Sequence, residues 1–197
     1  MFPHTHKIIS EHLHESIVNT LGVELNKNSL IYGSIKPDIA PSLAKLDHFK
    51  PQSFELIMNE IHRLSQTSFA NNKEFIKNFS SQIGVVTHFI ADFFCVPHND
   101  RIKYRKATIV SHMIYENNLH KLFKDFDGKV IASQEDFTVD NYSAHIIKRA
   151  IEQLHQQYNS REESFMNDLT SSLEATSAVG LYIVRHAISQ RSSIVAA

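Results

Sequence analysis

The chain reads as an all-α protein, a single-domain helix bundle of about six main helices with a long loop after the first. Three observations predict this. Only five glycines and five prolines interrupt 197 residues. No run alternates Val, Ile and Thr with polar residues over a useful strand length. Apolar residues instead recur three and four apart, the spacing that stacks side chains on one face of a helix. No internal repeat, low-complexity tract or break in composition divides the chain, so residues 1–197 are expected to form one domain.

The first helix is expected from about His6 to Leu21. Ile9, Leu13, Ile17 and Leu21 form its apolar stripe, and Gly22 ends it. The next thirty residues read as irregular, though Leu30, Ile31, Tyr32, Ile35 and Ile39 are apolar enough to pack down. A loop that long inside a compact domain is usually functional or disordered. Ser53 reads as the cap of a second helix reaching about Ser65. Asn71 or Asn72 opens a long third helix ending near Val96, because Pro97 disfavours helix at the residue before it. A loop then presents His98, and a fourth helix is expected from about Lys106 to Phe126. Asp127-Gly128 reads as a turn, followed by a connection to about Asp140. A fifth helix is expected from about Asn141 to Tyr158. Ser160 and Glu163 fit a capping box opening a sixth that reaches about Ser189, with a bend at Gly180.

Composition excludes some functions. The net charge of −1 provides no basic footprint for duplex nucleic acid. No stretch reaches the roughly 18 apolar residues of a membrane span. The amino-terminal Met-Phe-Pro-His-Thr-His lacks a basic region followed by an apolar run, so a soluble cytoplasmic protein is expected. The single cysteine, Cys95, reads as a small buried hydrophobe.

Thirteen histidines are many for this length, and they are scattered through the chain. Five chemistry-bearing residues stand out among them. His88 and Asp92 are four apart and share a helix face. His112 and Glu116 repeat the spacing, and His98 lies between the pairs. Apolar neighbours around His88 and Asp92 imply burial, and a buried carboxylate is costly unless it is paired or holds a cation. Imidazole with carboxylate and no thiolate suits zinc, and also iron, nickel or manganese. A carboxylate-bridged di-iron bundle needs two Glu-x-x-His motifs, and only Glu11-x-x-His14 is present.

The order His88, Asp92, His98, His112, Glu116 resembles the zinc-dependent phospholipase C family, to which the fungal zinc single-strand nucleases are related. Upstream, Thr5-His6-Lys7 resembles the family's histidine in its amino-terminal helix. Gly33-Ser34-Ile35-Lys36-Pro37-Asp38 and Asp47-His48-Phe49 resemble its loop aspartate and histidine. The resemblance implies two or three zinc ions. One would be held by Asp38, His48, His88 and Asp92, a second by His98, His112 and Glu116. A third would use His6 and share Asp92. In the secreted relatives the amino-terminal residue of the mature chain completes the third site. Here His4, beside His6, is expected to take that place.

The implied reaction is hydrolysis of a phosphoric ester, a phospholipid or its head group being the substrate the family suggests. Water activated by the metal attacks phosphorus, and Asp38 is the expected residue to orient or deprotonate it. Tyr32, Phe49, Phe94 and Tyr115 either line the substrate pocket or pack in the core. Two alternatives stand beside this reading. A single-strand nuclease or nucleotidase would want stacking aromatics and basic groups. Lys103, Arg105 and Lys106 offer some charge, but the chain has no tryptophan. The other alternative is a non-catalytic metal-binding bundle.

Overall fold

Pro3 opens the first helix, where a missing N–H costs nothing, and Phe2 precedes it in extended conformation. This helix, α1, spans Pro3–Leu21 in the computed structural model, which describes residues 1–43, 45–99, 109–128, 130 and 144–195. Ile9, Leu13 and Ile17 are buried on its inner face as expected. Gly22 ends it with φ of 64°, and its N–H donates to the Val18 carbonyl.

The stretch expected to be irregular instead holds α2, Lys27–Ile39. The Asn26 side chain accepts from the Ser29 N–H at 2.8 Å and supplies the cap. The helix carries no broad apolar stripe because it packs through small residues. Its Gly33 lies against Ser81, and Gly84 of the facing helix lies against Leu30. A Cβ at either glycine would run into a backbone carbonyl. Pro37 lies inside α2 and has no N–H to give the Gly33 carbonyl one turn back.

Helix α3, Lys50–Ser65, begins three residues before Ser53, with Pro51 in its first turn. The Ser53 hydroxyl donates to the Phe49 carbonyl at 3.0 Å. Helix α4, Lys73–Phe93, is capped by Asn72, whose side chain accepts from the Phe75 N–H at 2.9 Å. It stops three residues short of Val96. A separate turn, α5, Val96–Asn99, follows and takes Pro97 into its start. His98 therefore sits on a short helical turn.

Helix α6 is Ile109–Asp125, and the expected start near Lys106 lies outside the described residues. So do the basic residues Lys103, Arg105 and Lys106, most of the expected connection to Asp140, and the expected start at Asn141. Helix α7 is Ala144–Ser160 and α8 is Phe165–Val195. The expected capping box does not form. The Ser160 hydroxyl donates back to the Gln157 carbonyl, and Ser164 accepts from the Asn167 N–H to start α8. Helix α8 runs unbroken through Gly180, whose bare Cα faces Leu13; the Leu13 Cδ1 would lie 2.5 Å from an added Cβ.

Among the described residues no strand occurs, and the all-α bundle stands as expected. Helix α8 packs on α1, α3, α4, α6 and α7, while α2 lies along α4. The larger apolar core gathers Leu13, Ile17, Ile61, Ile83, Phe89 and Val179. A second apolar cluster joins Met1 and Ile9 to Leu119, Phe123, Leu169 and Leu173. It buries the Met1 side chain and so fixes the start of α1. Cys95 is free and buried, as the sequence suggested. Among the described residues no helix is long and apolar enough to cross a membrane.

Candidate metal centre

Helix α4 supplies the centre of the site. His88 and Asp92, one turn apart, are both fully buried, with His88 Nε2 3.4 Å from Asp92 Oδ2. The His88 Nδ1–H donates to the Ser34 carbonyl at 2.7 Å. That bond fixes the tautomer and turns the Nε2 lone pair inward, as outer partners of metal-ligating histidines do. The close crossing of α2 and α4 through Gly33 and Gly84 brings Ser34 to this position.

The other helices converge on the same point. His6 of α1 stacks on His88 with ring centroids 3.9 Å apart, and its Nε2 lies 3.4 Å from Asp92 Oδ1. Asp38, near the end of α2, places Oδ1 3.7 Å from His88 Nε2. His48 comes from the segment before α3. Its Nδ1 is 2.7 Å from Asp92 Oδ2 and 3.0 Å from His88 Nε2. His98 of α5 and His112 of α6 both meet Glu116 Oε1, at 2.9 and 2.8 Å. His98 Nδ1 lies 3.9 Å from Asp92 Oδ2 and links the two halves.

Eight of the nine expected ligands thus meet. They fall into four overlapping groups in which the ligand atoms lie within 4.8 Å of one another. These are His6, His88 and Asp92; Asp38, His48 and His88; His48, Asp92 and His98; and His98, His112 and Glu116. His4 stays outside them. It is exposed, and its ring stands 6.1 Å from that of His120. The reason is helical geometry: residues two apart on α1 point to different faces, so His4 and His6 diverge.

The group that sequence reasoning missed is the α-amine of Met1. It lies 2.6 Å from Asp92 Oδ1, 3.2 Å from His98 Nε2 and 3.2 Å from Glu116 Oε1. No side-chain pattern announces a backbone amine. The resemblance did point to an amino-terminal ligand, but the expectation gave that place to His4.

Charge in the site follows from these contacts. Burial works against the Met1 ammonium, but Asp92 and then Glu116 overcome it and push the amine up to about 11. Burial would raise Asp92, yet the ammonium and the ring of histidines hold it well below the usual carboxylate range. Glu116 is held low too, its burial outweighed by hydrogen bonds from His112 and His98. Burial lowers His88 far below the ordinary imidazole value, with help from His6. Burial and the ammonium lower His98. His48 is raised despite its burial, through its hydrogen bond to Asp92. Burial raises Asp38.

The donor set fits a metal. His6 Nε2, His98 Nδ1 and Asp38 Oδ2 are buried and have no hydrogen-bond partner within the structure. Buried polar atoms are rarely left in that state without a reason. Here all three turn up in one cluster of carboxylate oxygens and imidazole nitrogens, the ligand types of a zinc site.

The four aromatic residues beside the ligands differ in their surroundings. Phe94 is fully buried in the core. The Tyr115 hydroxyl donates to Asp168. Phe49 places its ring 5.8 Å from that of His98, and Tyr32 is exposed. Other histidines serve the framework: His14 meets the Leu25 carbonyl and His155 the Phe93 carbonyl.

No curated protein and no solved structure matches this chain. A family model described as zinc-dependent phospholipase C matches residues 5–165, a span containing all eight clustered side chains. The chain belongs to the zinc-dependent phospholipase C family.

Proposed function

We propose that this protein hydrolyses phosphoric esters with the help of zinc held by the eight converging side chains. The observation that carries the reading is the set of four overlapping ligand groups, with orphaned donors on His6, His98 and Asp38 among them. Asp38, His48, His88 and Asp92 would hold one ion, and His98, His112 and Glu116 a second. A third would rest on His6 and Asp92, with the Met1 amine in the place expected for His4. The two oxygens of Asp92 support its shared use. Oδ1 faces His6 and the amine, whereas Oδ2 faces His48, His88 and His98.

Zinc in such a site supplies water activation near neutral pH and charge to offset a phosphoryl group. The protein's own groups do the rest. Asp38 and His112 are the more open members, at 20% and 33% side-chain exposure, so substrate enters on their side. Asp38 has one oxygen 3.7 Å from His88 and the other unpartnered, which suits it to orient the attacking water or take its proton. The closed side, formed by His88, Asp92 and His6, excludes bulk water and strengthens charge interactions there.

Elemental analysis of the purified protein tests the metal. A panel of phosphocholine esters, nucleotides and phosphomonoesters, with and without chelator, tests the reaction. Two or three zinc ions per chain with chelator-sensitive turnover of a phosphocholine ester is the expected result. Turnover of single-strand nucleic acid or nucleotides alone would move the substrate to that class. Bound zinc with no turnover on any substrate would leave a non-catalytic metal-binding bundle.

A further inference from the structure

Asp168 is a fully buried carboxylate in the first turn of α8, three residues beyond the span shared with the family. An isolated buried charge costs several kcal/mol, so its partners reveal what it is for. Oδ2 accepts from the Val96 N–H at 3.0 Å and from the Tyr115 hydroxyl at 2.9 Å. Oδ1 accepts from the Tyr158 hydroxyl at 2.8 Å. The carboxylate therefore ties α5, α6 and α7 to α8.

We propose that Asp168 is a positioning residue for the His98, His112 and Glu116 group. The inference rests on the zinc-hydrolase reading above. Val96 opens α5, where N–H groups lack an intrahelical acceptor, and it stands two residues before His98. Asp168 accepts that N–H and so sets where α5 starts after the break at Phe94 and Cys95. Tyr115 immediately precedes Glu116 on α6, and its hydroxyl meets the same oxygen, Oδ2. One atom thus fixes the spacing between the segment carrying His98 and the helix carrying Glu116. Those two residues must meet within hydrogen-bond distance, and they do so at 2.9 Å. Tyr158 binds the other oxygen from α7, a helix that contributes none of the clustered ligands.

Competition with a chromophoric chelator reads zinc affinity, and His112→Ala identifies the binding step that belongs to this group. Asp168→Ala is expected to weaken that step about tenfold, the lower end of what outer partners of metal ligands contribute. Asp168→Asn, which retains one acceptor oxygen, is expected to recover most of the loss. The tyrosines separate positioning from plain stability. Tyr115→Phe should weaken the same zinc step, while Tyr158→Phe should lower the Tm of the metal-free protein and leave zinc affinity unchanged. Wild-type affinity in folded Asp168→Ala would overturn the proposal. If Asp168→Ala does not fold, the tyrosine pair decides, and equal zinc affinity in both would overturn it. A wild-type protein that takes up no zinc would sink the zinc-hydrolase reading, and this inference with it. Zinc-loaded wild type with an indifferent Asp168→Ala would sink this inference alone.

Discussion

The α-amine of Met1 and the carboxylate of Asp92 lie 2.6 Å apart, both fully buried, at the meeting point of the zinc-ligand candidates. The ammonium supplies positive charge where the carboxylates need it. A metal bound there would take over that task, and the amine would give up its proton to become a nitrogen donor. The Met1 side chain is held in the apolar cluster with Ile9 and Leu169, so the amine cannot drift away cheaply.

Asp92→Asn is expected to remove the nearer of the two counter-charges on a buried ammonium, Glu116 being the other, and a group shared by two proposed zinc sites. Breaking one partner of a buried ion pair costs about 3–5 kcal/mol. Urea denaturation of metal-free protein should show a loss of that order, and elemental analysis should show at least one zinc fewer. An unchanged zinc content would remove Asp92 from the site.

Extending the chain by a few residues ahead of Met1, or acetylating its amine, should lower zinc content or affinity. Acylation removes both the charge and the donor lone pair. His4→Ala should leave zinc content as in the wild type, because His4 is exposed and faces His120. The opposite pattern, with loss in His4→Ala and none on acetylation, would restore His4 as the ligand.

Gly33→Ala tests the link between helix packing and the site. In an open helix the change is favourable by roughly 1 kcal/mol. Here the new Cβ would meet the Ser81 carbonyl, a backbone atom that cannot turn aside. Overpacking of this kind costs about 1–3 kcal/mol, so the net expected change is destabilising. The displaced α2 carries Ser34, which orients His88, and Asp38. Zinc affinity should therefore fall together with the urea midpoint. A stabilised variant with unchanged zinc binding would refute the close crossing.

The pH dependence of the metal-free protein has a component from His155. Burial, aided by Lys50, lowers this imidazole to about 4, and its ring stays neutral while donating to the Phe93 carbonyl. The unfolded chain takes up the proton first, near the ordinary value of 6.5. The stability contributed by neutral His155 is whole above about 6.5 and is lost as pH falls towards about 4, by roughly 3 kcal/mol. Asp168, raised by burial to about 6, works in the opposite sense over the acid range. Comparing wild type with His155→Gln isolates the histidine. The variant should gain on the wild type as pH drops, and parallel stability curves would refute the assignment.

Much of this was legible in the sequence because it depends on local spacing. Pairs four apart on a helix share a face in any fold, so His88 with Asp92 and His112 with Glu116 could be read directly. The all-α class followed from apolar periodicity and the scarcity of glycine and proline. Helix α2 was not legible, because it packs through Gly33 and Ser34 where periodicity looks for an apolar stripe. The break after Phe93 was displaced for a related reason. Pro97 can begin a helical turn as well as end one, and the buried carboxylate of Asp168 stabilises that choice.

The sequence by itself determined the bundle, the ligand types and the pairs that share a helical turn. Tertiary structure alone decided which of two histidines on α1 faces inward, that a backbone amine joins the cluster, and that Asp168 braces it from outside. The division has a physical origin. Helical periodicity relates residues within one turn, whereas the distances from Met1 to Asp92 and from Val96 to Asp168 are set by how separate helices pack, which no local spacing encodes.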